Sequence, residues 1–136
     1  LQLPREISLT EFSLGNTTFA LGNINDAIIH YQNAASSAPN PLLKVQAQIN
    51  QLNLLVNNKR ITEAKALINS IQSQLPNLPT NNAGIYARIN FARVIIKIAD
   101  KKDAASILAT SVQQAKTLND TRALSYALGN LASVYE

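Results

Sequence analysis

The sequence contains no cysteine, and charged residues make up only 15% of it. The absence of cysteine excludes a disulfide framework, a thiolate zinc site and a thiol nucleophile, and it suits a reducing compartment. No segment resembles a signal peptide, and no apolar run reaches the roughly 18 residues that a membrane helix needs. We therefore expect a cytoplasmic protein with no membrane partner.

Apolar residues, in contrast, are plentiful at 46% of the 136 residues, and much of the remaining polarity comes from asparagine and glutamine. Disordered chains have less apolar material and a higher net charge, so this composition indicates a globular protein. The length suits a single domain that buries its own core.

The net charge of +4 is not concentrated in one place. Basic residues are spread from Arg5 to Arg122, and acidic residues interrupt the densest group, which is Lys97, Lys101 and Lys102. Phosphate binding normally needs a concentrated basic stripe. We therefore expect no nucleic-acid partner and keep polyanion binding only as the last of three function classes.

Apolar residues recur three and four positions apart along most of the chain, as in 42–56 and 61–75, and the alternation of β-strands is absent. Asparagine, glycine, proline and aspartate mark the breaks between these stretches. The pattern predicts seven helices, near residues 6–21, 24–37, 42–57, 61–75, 83–99, 102–117 and 121–135.

Two sequence features recur at intervals of nearly constant length. An acidic residue followed by alanine introduces alternate helices, and these alanines, Ala27, Ala64 and Ala104, are 37 and 40 residues apart. The triplet Leu-Gly-Asn occurs at 14–16 and at 128–130, which are 114 residues, or three times 38, apart. A third copy, at 21–23, falls in the predicted turn between two helices and is not equivalent to the other two. A fixed period of this length built from two helices is typical of a helical solenoid.

The stretch "LGNTTFALGNINDAIIHYQNAASSAP" resembles a tetratricopeptide repeat, or TPR. The matching residues are Leu14, Gly15, Ala27, Tyr31, Ala34 and Pro39. Glu11 and Thr18 stand where the family usually has aromatic residues. The resemblance implies an all-α, right-handed solenoid of antiparallel helix pairs, forming one domain over 1–136 with repeats near 8–41, 42–81, 82–119 and a partial 120–136.

Close packing of the helix pairs requires small residues at the crossings. We expect Gly15 to face Ala27 and Ala92 to face Ala104. Large residues would then form a core shared between repeats: Leu14, Tyr31, Leu52, Ile68, Phe91, Leu108 and Leu128.

The TPR resemblance also implies a binding groove, because the first helix of each repeat lines the concave face in that family. The groove column is Asn16, Asn53, Arg93 and Asn130, and neighbouring groove positions are Phe19, Asn50, Asn57, Asn90, Lys97 and Tyr126. In such grooves asparagine hydrogen-bonds the backbone of an extended peptide, since an amide both donates and accepts. We expect a neutral or acidic protein segment as the partner, with Arg93 and Lys97 as the charge contact.

Two alternatives to the groove stay open. Asparagine is abundant in this sequence, and similarity between repeats would align it in a column without any ligand. The segments "PNLPTNNAG" and "KTLNDTRALSYALGNLASVYE" also look like the repeat arrays that precede CHAT-type peptidase domains in some bacterial proteins. This second resemblance implies a structural spacer or regulatory arm of a larger protein.

The sequence lacks the residue patterns that are typical of catalytic and metal sites. His30 is the only histidine, and the sequence has no glycine-rich phosphate loop and no Gly-x-Ser-x-Gly motif. We interpret His30 as structural, and Asp100, Asp103 and Asp120 as residues at helix starts. We expect no enzymatic activity, no metal and no cofactor.

The last predicted helix carries an apolar stripe of Leu124, Leu128, Leu131 and Tyr135. The chain starts at Leu1 rather than methionine, and this last helix has no predicted partner, so we expect a piece of a longer array. An exposed stripe of this kind favours association, so we expect either that the chain self-associates through it or that the last helix serves as a cap of the array.

Overall fold

The structure, a computed structural model, describes residues 3–98 and 101–136. This part of the chain forms seven α-helices and no β-strand, and one turn of 3₁₀ helix, Leu75–Asn77, follows the fourth helix. The helices are α1 (Pro4–Ala20), α2 (Ile24–Ser37), α3 (Pro41–Asn57), α4 (Ile61–Gln74), α5 (Asn82–Ile96), α6 (Lys101–Thr117) and α7 (Thr121–Val134). The predicted all-α fold, with helices packed in consecutive pairs, is confirmed.

Two compact units divide the chain, an N-terminal unit, Leu1–Asn77, and a C-terminal unit, Leu78–Glu136. In the N-terminal unit α1 packs on α2, α2 on α3, and α3 on α4. In the C-terminal unit α6 packs on both α5 and α7, and α5 also contacts α7. Within the described ranges no helix has the length and apolar character needed to cross a bilayer. The right-handed winding and the repeat boundaries stay predictions.

Helices α1, α3 and α6 end in the same kind of turn. A residue with positive φ follows each helix: Gly22 at 82°, Lys59 at 59° and Asn119 at 55°. The N–H of the next residue then bonds the carbonyl five positions earlier, at 2.8 to 3.0 Å. This is the Schellman motif, which satisfies the last carbonyls of a helix and reverses the chain sharply. The next helix can therefore pack back on the one before it.

Side-chain caps begin three of the helices. Asn40, Asn81 and Asp120 each accept a hydrogen bond of 2.9 to 3.0 Å from the backbone N–H three residues later. The predicted role of Asp120 is therefore confirmed, and Asp103 lies in the first turn of α6 as expected. Asp100 lies outside the described residues.

The predicted core is mostly buried, with two exceptions. Tyr31, Leu52, Ile68, Phe91 and Leu108 are each at most 5% exposed. The prediction was wrong for Leu14 and Leu128, the leucines of the two equivalent triplets, because Leu14 is 41% exposed and Leu128 is 47% exposed.

The position of each leucine on its helix explains its exposure. Helix α1 buries the face that carries Gly15, and the preceding residue, Leu14, projects about 100° away from that face. Helix α7 buries Ala123, Ala127 and Val134, and Leu128 projects to one side of that line. Both leucines therefore lie beside the buried face of their helix and not on it.

Candidate functional site

A cavity of about 210 Å³ opens on the N-terminal unit between α1, α2 and α3. Its lining consists of Asn16, Phe19, Tyr31, Asn50, Asn53 and Leu54. Four of these were predicted as groove residues, namely the three asparagines and Phe19. The structure thus brings together predicted site residues from two helices that are separated in sequence by α2.

Tyr31 forms the centre of this site and is only 3% exposed. Its ring lies directly on Gly15, where an added Cβ atom would stand 2.5 Å from Cε1 of the ring. The ring also makes an edge contact with Phe12, with centroids 5.6 Å apart. The side chain closest to Gly15 is therefore Tyr31 and not the predicted Ala27. Tyr31 lies one helical turn after Ala27 on the same face of α2, and its longer side chain reaches the glycine.

The hydroxyl of Tyr31 donates a 2.6 Å hydrogen bond to Oδ1 of Asn16. Burial raises the pKa of Tyr31 above its usual 10.0, and a hydrogen bond with Asn50 partly opposes that rise. The hydroxyl therefore keeps its proton at neutral pH and stays a donor. As a result, the amide of Asn16 is held with its oxygen toward Tyr31 and its NH₂ group turned away from the hydroxyl.

The cavity is polar but carries no charge. Three carboxamides and one hydroxyl supply its hydrogen-bonding groups, and none of the described residues that line it is charged. Its apolar parts differ in exposure, since Leu54 is buried and Phe19 is 49% exposed. The arrangement can therefore bind an uncharged group with both donors and acceptors, beside an exposed aromatic ring.

In the C-terminal unit the predicted residues lie on α5 and α7. The hydroxyl of Tyr126 donates to Oδ1 of Asn90 at 2.8 Å, and its ring lies against Tyr86 with centroids 5.8 Å apart. Nδ2 of Asn130 donates to the backbone carbonyl of Tyr126 at 2.8 Å. Each unit therefore contains one tyrosine whose hydroxyl fixes an asparagine oxygen.

The remaining predicted site residues are solvent-exposed. Arg93 and Lys97 are exposed on α5 and at its C-terminal cap, and Asn57 is exposed at the last position of α3. Arg93 and Lys97 are separated by one helical turn, so they place two positive charges close together on the C-terminal unit.

His30 links the first two helices. Its Nδ1 lies 2.7 Å from Oε2 of Glu11, and both side chains are about three-quarters buried. Glu11 is one of the two positions where the sequence departs from the aromatic residues of the TPR pattern. The pair makes a polar contact between α1 and α2, which agrees with the structural interpretation of His30.

A second cavity, of about 630 Å³, was not predicted. It lies in the N-terminal unit and is lined by Asn25, Ile28, Ile29, Gln32, Gln51, Arg60 and Glu63. Arg60 and Glu63 form a two-point ion pair at 2.8 and 2.9 Å, and Arg60 also contacts Asn25 at 3.4 Å. The charges of this cavity are therefore already paired. The spacing of Arg60 and Glu63, three residues apart at a helix start, was the sequence signal available for the pair.

The sequence interpretation also missed Arg88, which is only 6% exposed. Its guanidinium donates to the carbonyls of Leu78 and Pro79, both at 3.0 Å, and burial lowers its pKa. Arg88 thus holds the loop before α5.

No family model matches the chain, and no curated protein has significant similarity to it.

Proposed function

We propose that this chain is a non-enzymatic protein-interaction module of the TPR type that binds an extended peptide segment. The amides at the cavity of the N-terminal unit supply hydrogen bonds to the segment, and Phe19 supplies an apolar contact. Asn53 at this cavity and the nearby Asn57 bond the peptide backbone, because a carboxamide can donate to a carbonyl and accept from an N–H.

The observation that carries the proposal is the hydrogen bond of 2.6 Å from Tyr31 to Asn16. A surface asparagine normally loses rotamer freedom when it binds a ligand, and that loss weakens binding. Asn16 is on an exposed part of α1, yet its amide is already oriented by a buried hydroxyl. Such pre-organisation lowers the entropic cost of binding and favours a ligand role over a simply solvated asparagine.

The C-terminal unit repeats part of this chemistry. The hydrogen bond of 2.8 Å from Tyr126 orients Asn90 in the same way, and Arg93 and Lys97 lie farther along α5. These two exposed cations favour a segment that carries acidic residues, through charge-assisted hydrogen bonds.

The test is selection of short random peptides displayed on phage, followed by affinity measurement by fluorescence anisotropy. We expect the selected peptides to bind the native chain and to bind the Asn16→Ala/Asn53→Ala variant about tenfold more weakly or worse, since two hydrogen bonds are removed. Asn69→Ala is the matched control, because Asn69 is an exposed asparagine of α4 that does not line the cavity.

Circular dichroism of all variants establishes that the helices are retained. If no peptide is enriched, or if the double variant and the control bind equally, the proposal is wrong. The spacer interpretation, in which the chain only separates other domains, would then be favoured.

A further inference from the structure

We infer that the cavity of the N-terminal unit selects one residue of the bound segment, glutamine, whose side-chain carboxamide enters between Asn16 and Asn50. This inference rests on the proposed function and adds a side-chain preference to it. It comes from the hydrogen-bonding groups, the charge and the size of the cavity.

The cavity offers a ligand one oriented donor, on Asn16, and one acceptor, on Asn50. Oδ1 of Asn16 accepts from Tyr31, and no group in the described part of the chain accepts from its Nδ2. Asn50 lines the same cavity, and its carboxamide oxygen can accept a hydrogen bond from a ligand. A ligand carbonyl paired with Asn16 and a ligand NH₂ paired with Asn50 would satisfy both groups.

Charged side chains fit this cavity poorly. A carboxylate has only acceptors, so the Asn50 oxygen would lose its donor, and an ammonium has only donors, so the Asn16 NH₂ would lose its acceptor. Neither charge would find a counter-charge, since no charged residue lines the cavity. Removing an unpaired charge from water is costly. A carboxamide has both functions without a charge, and it has them on two separate atoms that can face Asn16 and Asn50 at once.

The size of the cavity indicates a single side chain. Its volume of about 210 Å³ is below the range of about 300 to 1,000 Å³ that is usual for drug-sized ligands. Phe19 and Leu54 provide apolar surface beside the polar groups. Glutamine has one more methylene than asparagine to place on that surface, so glutamine is preferred.

The experiment uses the selected peptides and the full chain. We expect enrichment of glutamine at one position of the peptides. Replacing that glutamine with glutamate, which has nearly the same shape, should weaken binding about tenfold or more, and replacing it with asparagine should weaken it about threefold.

Two variants test whether the oriented amide causes this preference. Tyr31→Phe keeps the ring on Gly15 but removes the hydroxyl, so glutamine and glutamate should then differ by about threefold or less. Asn16→Asp replaces the donor with a negatively charged acceptor at nearly constant shape, and it should shift the preference from glutamine to lysine, which supplies only donors and a positive charge. The ratio of the two affinities is a readout that a purely structural role of Tyr31 would leave unchanged.

The outcomes separate this inference from the proposed function. Peptides that need Asn16 and Asn53 but show no glutamine preference, or that prefer a charged residue, would overturn the inference and leave the proposed function standing. A selection that enriches no peptide would overturn both. A glutamine preference over glutamate that is unchanged in Tyr31→Phe, together with no gain in affinity for lysine in Asn16→Asp, would show that another part of the surface selects the residue and would overturn the inference.

Discussion

Gly15 and Gly129 occupy the same position of the repeated triplet, yet their replacement by alanine should change stability in opposite directions. In a helix interior, glycine to alanine gains about 1 kcal/mol from backbone propensity alone. No atom lies within 4 Å of a Cβ added at Gly129, so Gly129→Ala should stabilise the chain by up to about 1 kcal/mol.

At Gly15 the added Cβ would lie 2.5 to 2.9 Å from three atoms of the Tyr31 ring. That ring is buried and tied to Asn16, so it cannot simply turn aside. Overpacking of this kind costs about 1 to 3 kcal/mol, which exceeds the propensity gain, and Gly15→Ala should destabilise by about 1 kcal/mol net. The displaced ring should also weaken peptide binding, because it sets the position of the Tyr31 hydroxyl.

The assay is urea unfolding followed by far-UV circular dichroism. We expect free energies of unfolding that differ by about 2 kcal/mol between the two variants. If the two compact units unfold separately, the Gly15 effect should appear in one transition and the Gly129 effect in the other. In a Tyr31→Leu background Gly15→Ala should no longer destabilise. Equal stabilisation by the two glycine substitutions would refute the reasoning.

Three further predictions follow from single contacts. A Cβ on Gly84 would overlap the backbone oxygen of Pro79, which cannot move aside as a side chain can, so Gly84→Ala should lower the thermal midpoint more than Gly15→Ala does; an unchanged midpoint would contradict this contact. Burial raises the pKa of Tyr31, so the stability that its hydroxyl contributes should be full below about pH 10 and be lost as the pH rises through the raised pKa. Urea titrations in that alkaline range should show a flatter pH dependence for Tyr31→Phe. Leu128 is 47% exposed, so Leu128→Lys should reduce the self-association that we propose for α7, and sedimentation velocity that finds the native chain monomeric at high concentration would exclude it.

The helices could be predicted closely from the sequence because two signals agree: apolar residues repeat with helical spacing, and asparagine, glycine, proline or aspartate stands where that spacing breaks off. The ends differ where local chemistry decides them. Helix α1 starts at Pro4, two residues before the predicted start, because proline is well suited to the first helical position and its missing N–H costs nothing there. Helix α5 ends at Ile96, whereas residue 99 of its predicted span lies outside the described residues.

The candidate site was only partly predictable. Asn16, Asn50 and Asn53 share a cavity as the repeat alignment implied, because the spacing fixes which face of a helix a residue occupies. The same spacing does not give the reach of a side chain, so the place of Tyr31 between Gly15 and Asn16 was missed. Arg88 was missed because charged residues are rarely buried, and only the loop carbonyls that it binds explain its position.

The most direct measurement is a heteronuclear NMR titration of the full chain with a selected peptide, following the side-chain NH₂ signals of asparagine. Binding at the cavity predicts saturable shifts of the Asn16, Asn50 and Asn53 signals with one shared dissociation constant, while the signal of Asn69 on α4 stays in place. Saturable shifts that leave these three signals unchanged would contradict the proposed site.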